Sequence, residues 1–153
     1  MGDVVIFTNA LIAVGTGTAS ADRVISGRCR SLSWNEEFED HDVTTFGSTN
    51  RVHALGLGDA SIDIELMQSY SSADGEENID VLVGTLRDLS ASGRKFLFRF
   101  RPVNSSRGAT NPEYSMLAIQ ANRTIVDGEV ATPLVNTLSF MSAGDITRAT
   151  ATT

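Results

Sequence analysis

Ala60-Ser61-Ile62-Asp63-Ile64-Glu65-Leu66 alternates without a break between apolar and polar side chains. Successive side chains of a strand point to opposite faces, so a period of two marks a half-buried β-strand. Ile62, Ile64 and Leu66 face inward here, and Ser61, Asp63 and Glu65 face outward, in a strand read over residues 60–70. The same period recurs on both sides. Residues 28–38 set Leu32, Trp34 and Phe38 against Cys29, Ser31, Ser33, Asn35 and Glu37. Residues 95–102 set Phe96, Phe98 and Phe100 against Leu97, Arg99 and Arg101. Residues 114–126 set Leu117, Ile119 and Ala121 against Ala118, Gln120, Asn122 and Thr124. Residues 134–143 set Leu138 and Phe140 against Thr137, Ser139 and Met141. A first strand is read over residues 4–14, closed by the turn Gly15-Thr16-Gly17-Thr18.

One segment changes period. Ile79, Leu82, Val83, Leu86 and Leu89 recur at helical spacing, with Asp74-Gly75 as a start signal and Gly93 as a stop. They predict one amphipathic helix over residues 76–90, its apolar stripe packed on the sheet. Residues 39–55 are polar and read as a loop, long enough to suggest a function. Asp127-Gly128 reads as a turn, and residues 144–153 as a polar, Thr-rich tail. No repeat, low-complexity block or linker divides the chain. The 153 residues therefore predict a single domain: a mainly β sandwich or barrel of about six main strands with one flanking α-helix.

Composition narrows the chemistry. Nineteen acids against twelve bases give a formal charge of −7 and a pI near 4.7. Phosphate neutralisation needs an excess of Lys and Arg, which argues against a nucleic-acid binder, and anionic membranes are disfavoured likewise. The lone Cys29 can form neither an internal disulfide nor a cysteine-cluster zinc site. The start, Met1-Gly2-Asp3-Val4, has no basic region, and Thr8 and Asn9 interrupt the apolar run behind it; synthesis in the cytosol is expected. Gly56-Leu57-Gly58 leads into a strand rather than out of one, the wrong context for a dinucleotide fingerprint. His41 and His53 place one imidazole at each end of a loop, too sparse for a metal site. Glu36, Glu37, Glu39 and Asp40 lack the spacing of a calcium loop and read as a solvated or interface-facing charge run. No cofactor is implied, and an enzyme is the poorest of the readings.

The outward faces are more telling. Ser31, Ser33, Asn35 and Glu37; Ser61, Asp63 and Glu65; Gln120, Asn122 and Thr124; and Thr137 and Ser139 are small, polar or acidic, with no Lys or Arg among them. A solvent face of an antiparallel sheet ordinarily mixes Lys with Glu. A long face without bases suggests surroundings in which positive charge is unwanted.

The order of motifs resembles the major tail tube proteins of long-tailed, non-contractile bacteriophages. The resemblance is carried by Asp42-Val43-Thr44-Thr45-Phe46-Gly47-Ser48, then Arg51, then Leu55-Gly56-Leu57. Thr110-Asn111-Pro112-Glu113-Tyr114-Ser115 extends it, as does the ending from Thr137-Leu138-Ser139-Phe140 to Gly144-Asp145-Ile146-Thr147-Arg148-Ala149. It covers residues 24 to the C-terminus; residues 1–23 carry a longer first strand and turn than the family pattern. The resemblance implies a structural virion protein that assembles as six-fold rings stacked into a tube. Strands of all copies would line the channel through which DNA leaves the capsid. The four polar faces would then face the lumen, and the loop from Asp42 to Arg51 would reach the neighbouring ring. It further implies assembly in the host cytoplasm, residence in the virion tail, and tape measure, tail terminator and distal tail proteins as partners, with duplex DNA present only in transit. The alternative from another class is a β-sandwich decoration or host-binding module of a virion.

Overall fold

A computed structural model of the chain describes residues 9–19, 23–70 and 78–151. Within them run β1 (Leu11–Val14), β2 (Arg23–Val24), a 3-10 turn at Ser26–Arg28, β3 (Cys29–Asp42), β4 (His53–Met67), α1 (Ile79–Ala91), β5 (Phe96–Arg101), β6 (Glu113–Arg123), β7 (Val135–Ser142) and β8 (Thr147–Ala149). All eight strands join one antiparallel sheet in the order β2-β1-β5-β6-β7-β4-β3, with β8 added to β6. The mainly β class with one helix is as the periods predict.

One face of this sheet and the helix enclose the core. Ile62, Ile64 and Leu66 meet Leu138 and Phe140, Met116 and Ala118, Phe96 and Phe98, and Ile12 and Val14 in a single cluster. Each large apolar side chain buried there contributes about 1.5–3 kcal/mol. β3 stands four places from β5 in the strand order, yet Trp34 meets Phe98 edge-on with ring centroids 5.4 Å apart. The sheet therefore curls until its inner face closes on itself. Helix α1 seals the opening with Ile79, Leu82, Val83 and Leu86 buried, while Leu89 at the next turn is half-buried. Asn78 caps the helix by accepting the Val81 N–H at 3.2 Å. At its end Gly93 takes φ +74°, and the amide of Arg94 donates to the Leu89 carbonyl at 2.9 Å, a left-handed cap that glycine accommodates without strain.

Several expectations need correction. Residues 39–55 are not one long loop: β3 runs on to Asp42 and β4 begins at His53, leaving only residues 43–52 outside the ladder. Neither side of this ribbon is covered, so no apolar alternation announces it. The tail is not featureless either. Thr147–Ala149 pairs with Glu113–Ser115, the stretch of β6 that β7 does not reach. The turn before β7 falls at Glu129–Thr132, with Ala131 at φ +65°, rather than at Asp127-Gly128; Asp127 instead bridges to Val135. Of the first strand, Leu11–Val14 is observed, and residues 1–8 lie outside the described residues, as do the helix start signal Asp74-Gly75 and residues 76–77.

Candidate functional site: a polar sheet face and a projecting hairpin

Residues directly opposite one another in a ladder share a face, so the register shows which polar side chains come together. Ser33 lies opposite Asp63, Asp63 opposite Ser139, and Ser139 opposite Asn122. The next row holds Ser31, Glu65 and Thr137, and the Thr124 amide donates to the Thr137 carbonyl at 2.8 Å. On the other side come Asn35, Ser61 and Met141, then Glu37 opposite Asp59. Four strands thus present one continuous face turned away from the core. Its side chains bond among themselves, Ser139 Oγ to Asp63 Oδ1 at 2.7 Å and Asn35 Nδ2 to Ser33 Oγ at 3.2 Å.

Two bulges alter the expected membership. β6 pairs Gln120 with Phe140 but Asn122 with Ser139, so Ala121 is an extra residue and the alternation flips across it. Met116, Ala118 and Gln120 therefore point to the core side, and the predicted inward set Leu117 and Ile119 lies on the outer one. Gln120 leaves the polar face: it pairs with the core residue Phe140, and its backbone N–H donates to Ser90 Oγ of the helix at 2.8 Å. On β3 the register slips between Cys29 and Ser31, which turns Cys29 to the core side and leaves Arg30 in the bulge. Arg30 Nη1 stands 3.3 Å from Glu65 Oε1, so one base borders a face expected to have none. Burial pushes the Cys29 thiol up to about 11, against a backbone hydrogen bond to Ser31 that lowers it; the Glu65 charge raises it a little further. That thiol is protonated and unreactive at neutral pH.

The hairpin is the second feature. β7 pairs β4 only from Ser61 to Met67, whereas β3 accompanies β4 out to Asp42 and His53. The seven residues of β4 before Ala60 thus extend about 23 Å, at about 3.3 Å per residue, as a ribbon of two strands. Leu55 and Leu57 are exposed along it, as are Val43 and Val52 at its end, and Phe46 at the tip is fully exposed. Such a ribbon by itself is marginal in water. Phe38 shields part of it by lying across Gly58, where a Cβ would come within 2.7 Å of the ring. The tip is nonetheless ordered. Asp42 Oδ1 accepts from the Thr44 amide at 2.9 Å and from its hydroxyl at 2.5 Å, and Thr44 Oγ1 accepts from the Val52 amide at 2.9 Å. The Thr44 hydroxyl, and then its amide, hold the Asp42 carboxyl below the usual carboxylate range. The Ser48 amide closes a turn on the Thr45 carbonyl around Phe46 and Gly47, and Arg51 is exposed beside it.

Among the described residues, no three His, Cys, Asp or Glu side chains gather as a metal site. A cavity of about 580 Å³ lies between β1 and β3, with Ile12, Cys29, Leu32, Trp34 and Phe100 in its walls. No described helix is long and apolar enough to cross a membrane.

The sheet, its one helix and their order match solved tail structures. The chain resembles one from the tail of an empty gene transfer agent (GTA) particle solved with C6 symmetry, at 19% identity and TM-score 0.60, over 91% of this chain and 94% of that one. It resembles the SPP1 tail tube at 11% identity and TM-score 0.63, over 94% of this chain and 76% of that one. A chain of the sheath–tube complex of an extracellular contractile injection system aligns at 9% identity and TM-score 0.64, over 97% and 93%. The fold is tail-tube-like, and contractile and other assemblies share it alike. No protein-family profile matches the sequence, and no curated protein does.

Proposed function

We propose that this chain is a structural, non-catalytic tail tube subunit of a long-tailed, non-contractile phage, assembling with itself into six-fold rings that stack into a channel for DNA. The observation that carries the reading is the continuous polar face: all the expected lumen positions except Gln120 fall on it. Among the described residues, no strand pairs with the outer edge of β3, fourteen residues long. An edge of that length invites pairing with another chain, and a closed ring is one way to satisfy it. Head-to-tail stacking of such rings does not close and yields a filament. The acids Glu37, Asp59, Asp63 and Glu65 would then repel passing duplex, preventing the counterion-release binding that would stall it. Six copies at −7 each carry a formal six times −7, or −42, per ring. Tape measure, terminator and distal tail proteins would meet such a tube at its bore and ends, within the virion tail after assembly in the host cytoplasm.

Replacing Asp63 and Glu65 with Lys tests the lumen assignment. Both side chains lie off the core face, so the variant should fold and assemble, and the particles should release DNA more slowly, most of all at low salt, where screening is weak. Ejection rates identical to wild type across salt concentrations would contradict it.

A further inference from the structure

Resting on the tube reading, we infer that the arginines around Glu113 form a socket for the acidic hairpin arm of a second copy of this chain, at its side within a ring. Glu113 is buried, and its carboxylate is 2.5 Å from Arg101, 3.5 Å from Arg107 and 3.8 Å from Arg99. Arg101 and Arg107 alone outnumber the one carboxylate, and each guanidinium carries five N–H donors. The cluster is positive although the chain as a whole carries a net charge of −7. It is also held in place. Asn111 ties the loop bearing Arg107 to the end of β5, with its side chain bonded to both the amide and the carbonyl of Val103 at 3.0 Å. Arg101 donates in addition to the Ser105 carbonyl. The side chains of Arg101 and Arg107 keep 14% and 22% of their surface open, enough for a further anionic group to reach them.

The complementary group is on the arm. Glu36, Glu37, Glu39, Asp40 and Asp42 run along its outer strand, and the side chains of Glu39 and Asp40 are 63% and 61% exposed. Register places arm and socket toward the same end of the sheet. Ala118 pairs with both Phe96 and Ser142; the Ala60 amide donates to Ser142 Oγ, and Ala60 pairs with Glu36. These residues form one row across the sheet, and β5 and β3 leave it in the same direction. Arg99 and Arg101 then lie three and five residues beyond Phe96, and Glu39, Asp40 and Asp42 three, four and six beyond Glu36. A copy beside this one in the same orientation would bring its arm toward the end of the sheet that holds the socket, whereas a stacked copy presents the opposite end. Such a contact joins different patches of the two copies, as a cyclic ring requires.

A paired charge reversal tests this. One variant carries Glu39→Lys and Asp40→Lys in the exposed arm; the other carries Arg101→Glu, Arg107→Glu and Glu113→Gln. If circular dichroism shows the second unfolded, Arg107→Glu alone replaces it. In sedimentation velocity each variant alone should assemble at least tenfold more weakly than wild type. An equimolar mixture should recover, because alternating copies restore opposite charge at every contact. Either variant assembling alone as well as wild type, or a mixture that stays dispersed, overturns the socket while wild-type tubes leave the tube reading standing. Wild type that forms no assembly defeats the tube reading itself. Binding of duplex DNA by wild type that the socket variant loses would assign the arginines to phosphate and overturn the pairing with the arm.

Discussion

Asp42 shows how one side chain orders a tip that has no core beneath it. Its carboxylate takes both the amide and the hydroxyl of Thr44, and Thr44 in turn holds the Val52 amide across the hairpin end. Because these bonds favour the ionised form, the folded pKa lies below the ordinary value of 3.8. The stabilisation of the tip is thus complete above 3.8 and is lost as pH falls through the lowered folded value. The amide resonance of Thr44 should stay in its hydrogen-bonded position from neutral pH down past the ordinary carboxylate range and move only below it. Asp42→Ala should shift it at neutral pH while leaving the melting temperature of the domain in place. An amide that titrates near the ordinary value would contradict this arrangement.

Among the elements, α1 and the hairpin make opposite predictions. Leu82 is buried in the core, so Leu82→Asp places an unpaired carboxylate there, a loss of about 3 kcal/mol or more. Folded protein should disappear along with assembly; a variant with wild-type circular dichroism that merely fails to assemble would make the stripe an interface. Phe46 is fully exposed, so Phe46→Ala, or deletion of residues 43–49, should not change the melting temperature of the isolated domain. In a stack, the ring has about 1.5–3 kcal/mol to gain on burial against the next subunit, repeated in every copy, so tubes should be lost. Long tubes from the deletion variant in electron micrographs would remove the tip from the contact. These elements also differ in legibility. Strands with one buried side, such as β4 around Ile62 and Ile64, announce themselves by alternation. The arm strands, exposed on both sides, carry no such pattern. Bulges are equally silent: Met116, Leu117, Ala118 and Ile119 are all apolar, so nothing in their order tells which pair faces the core before Ala121 shifts the phase.

For the whole molecule the polar face, the β3 edge that ends the order of described strands and the hairpin have one meaning together that none has alone. A solitary domain gains nothing from a fourteen-residue edge that no described strand covers and a ribbon of exposed Leu55, Leu57 and Phe46. Both are liabilities unless other copies cover them. The face assembled from four strands was foreseeable in most of its members, since surface alternation is local, whereas the curl that turns it outward depends on long-range contacts such as Trp34 with Phe98. The central claim is self-assembly into a channel, and electron microscopy of the purified wild-type protein across a concentration series tests it most directly. Six-fold rings stacked into hollow tubes, with the β3–β4 face lining the bore in the reconstruction, are the predicted result. Particles that remain single subunits at every concentration, or an assembly that places Asp63 and Ser139 on the outer wall, would contradict it.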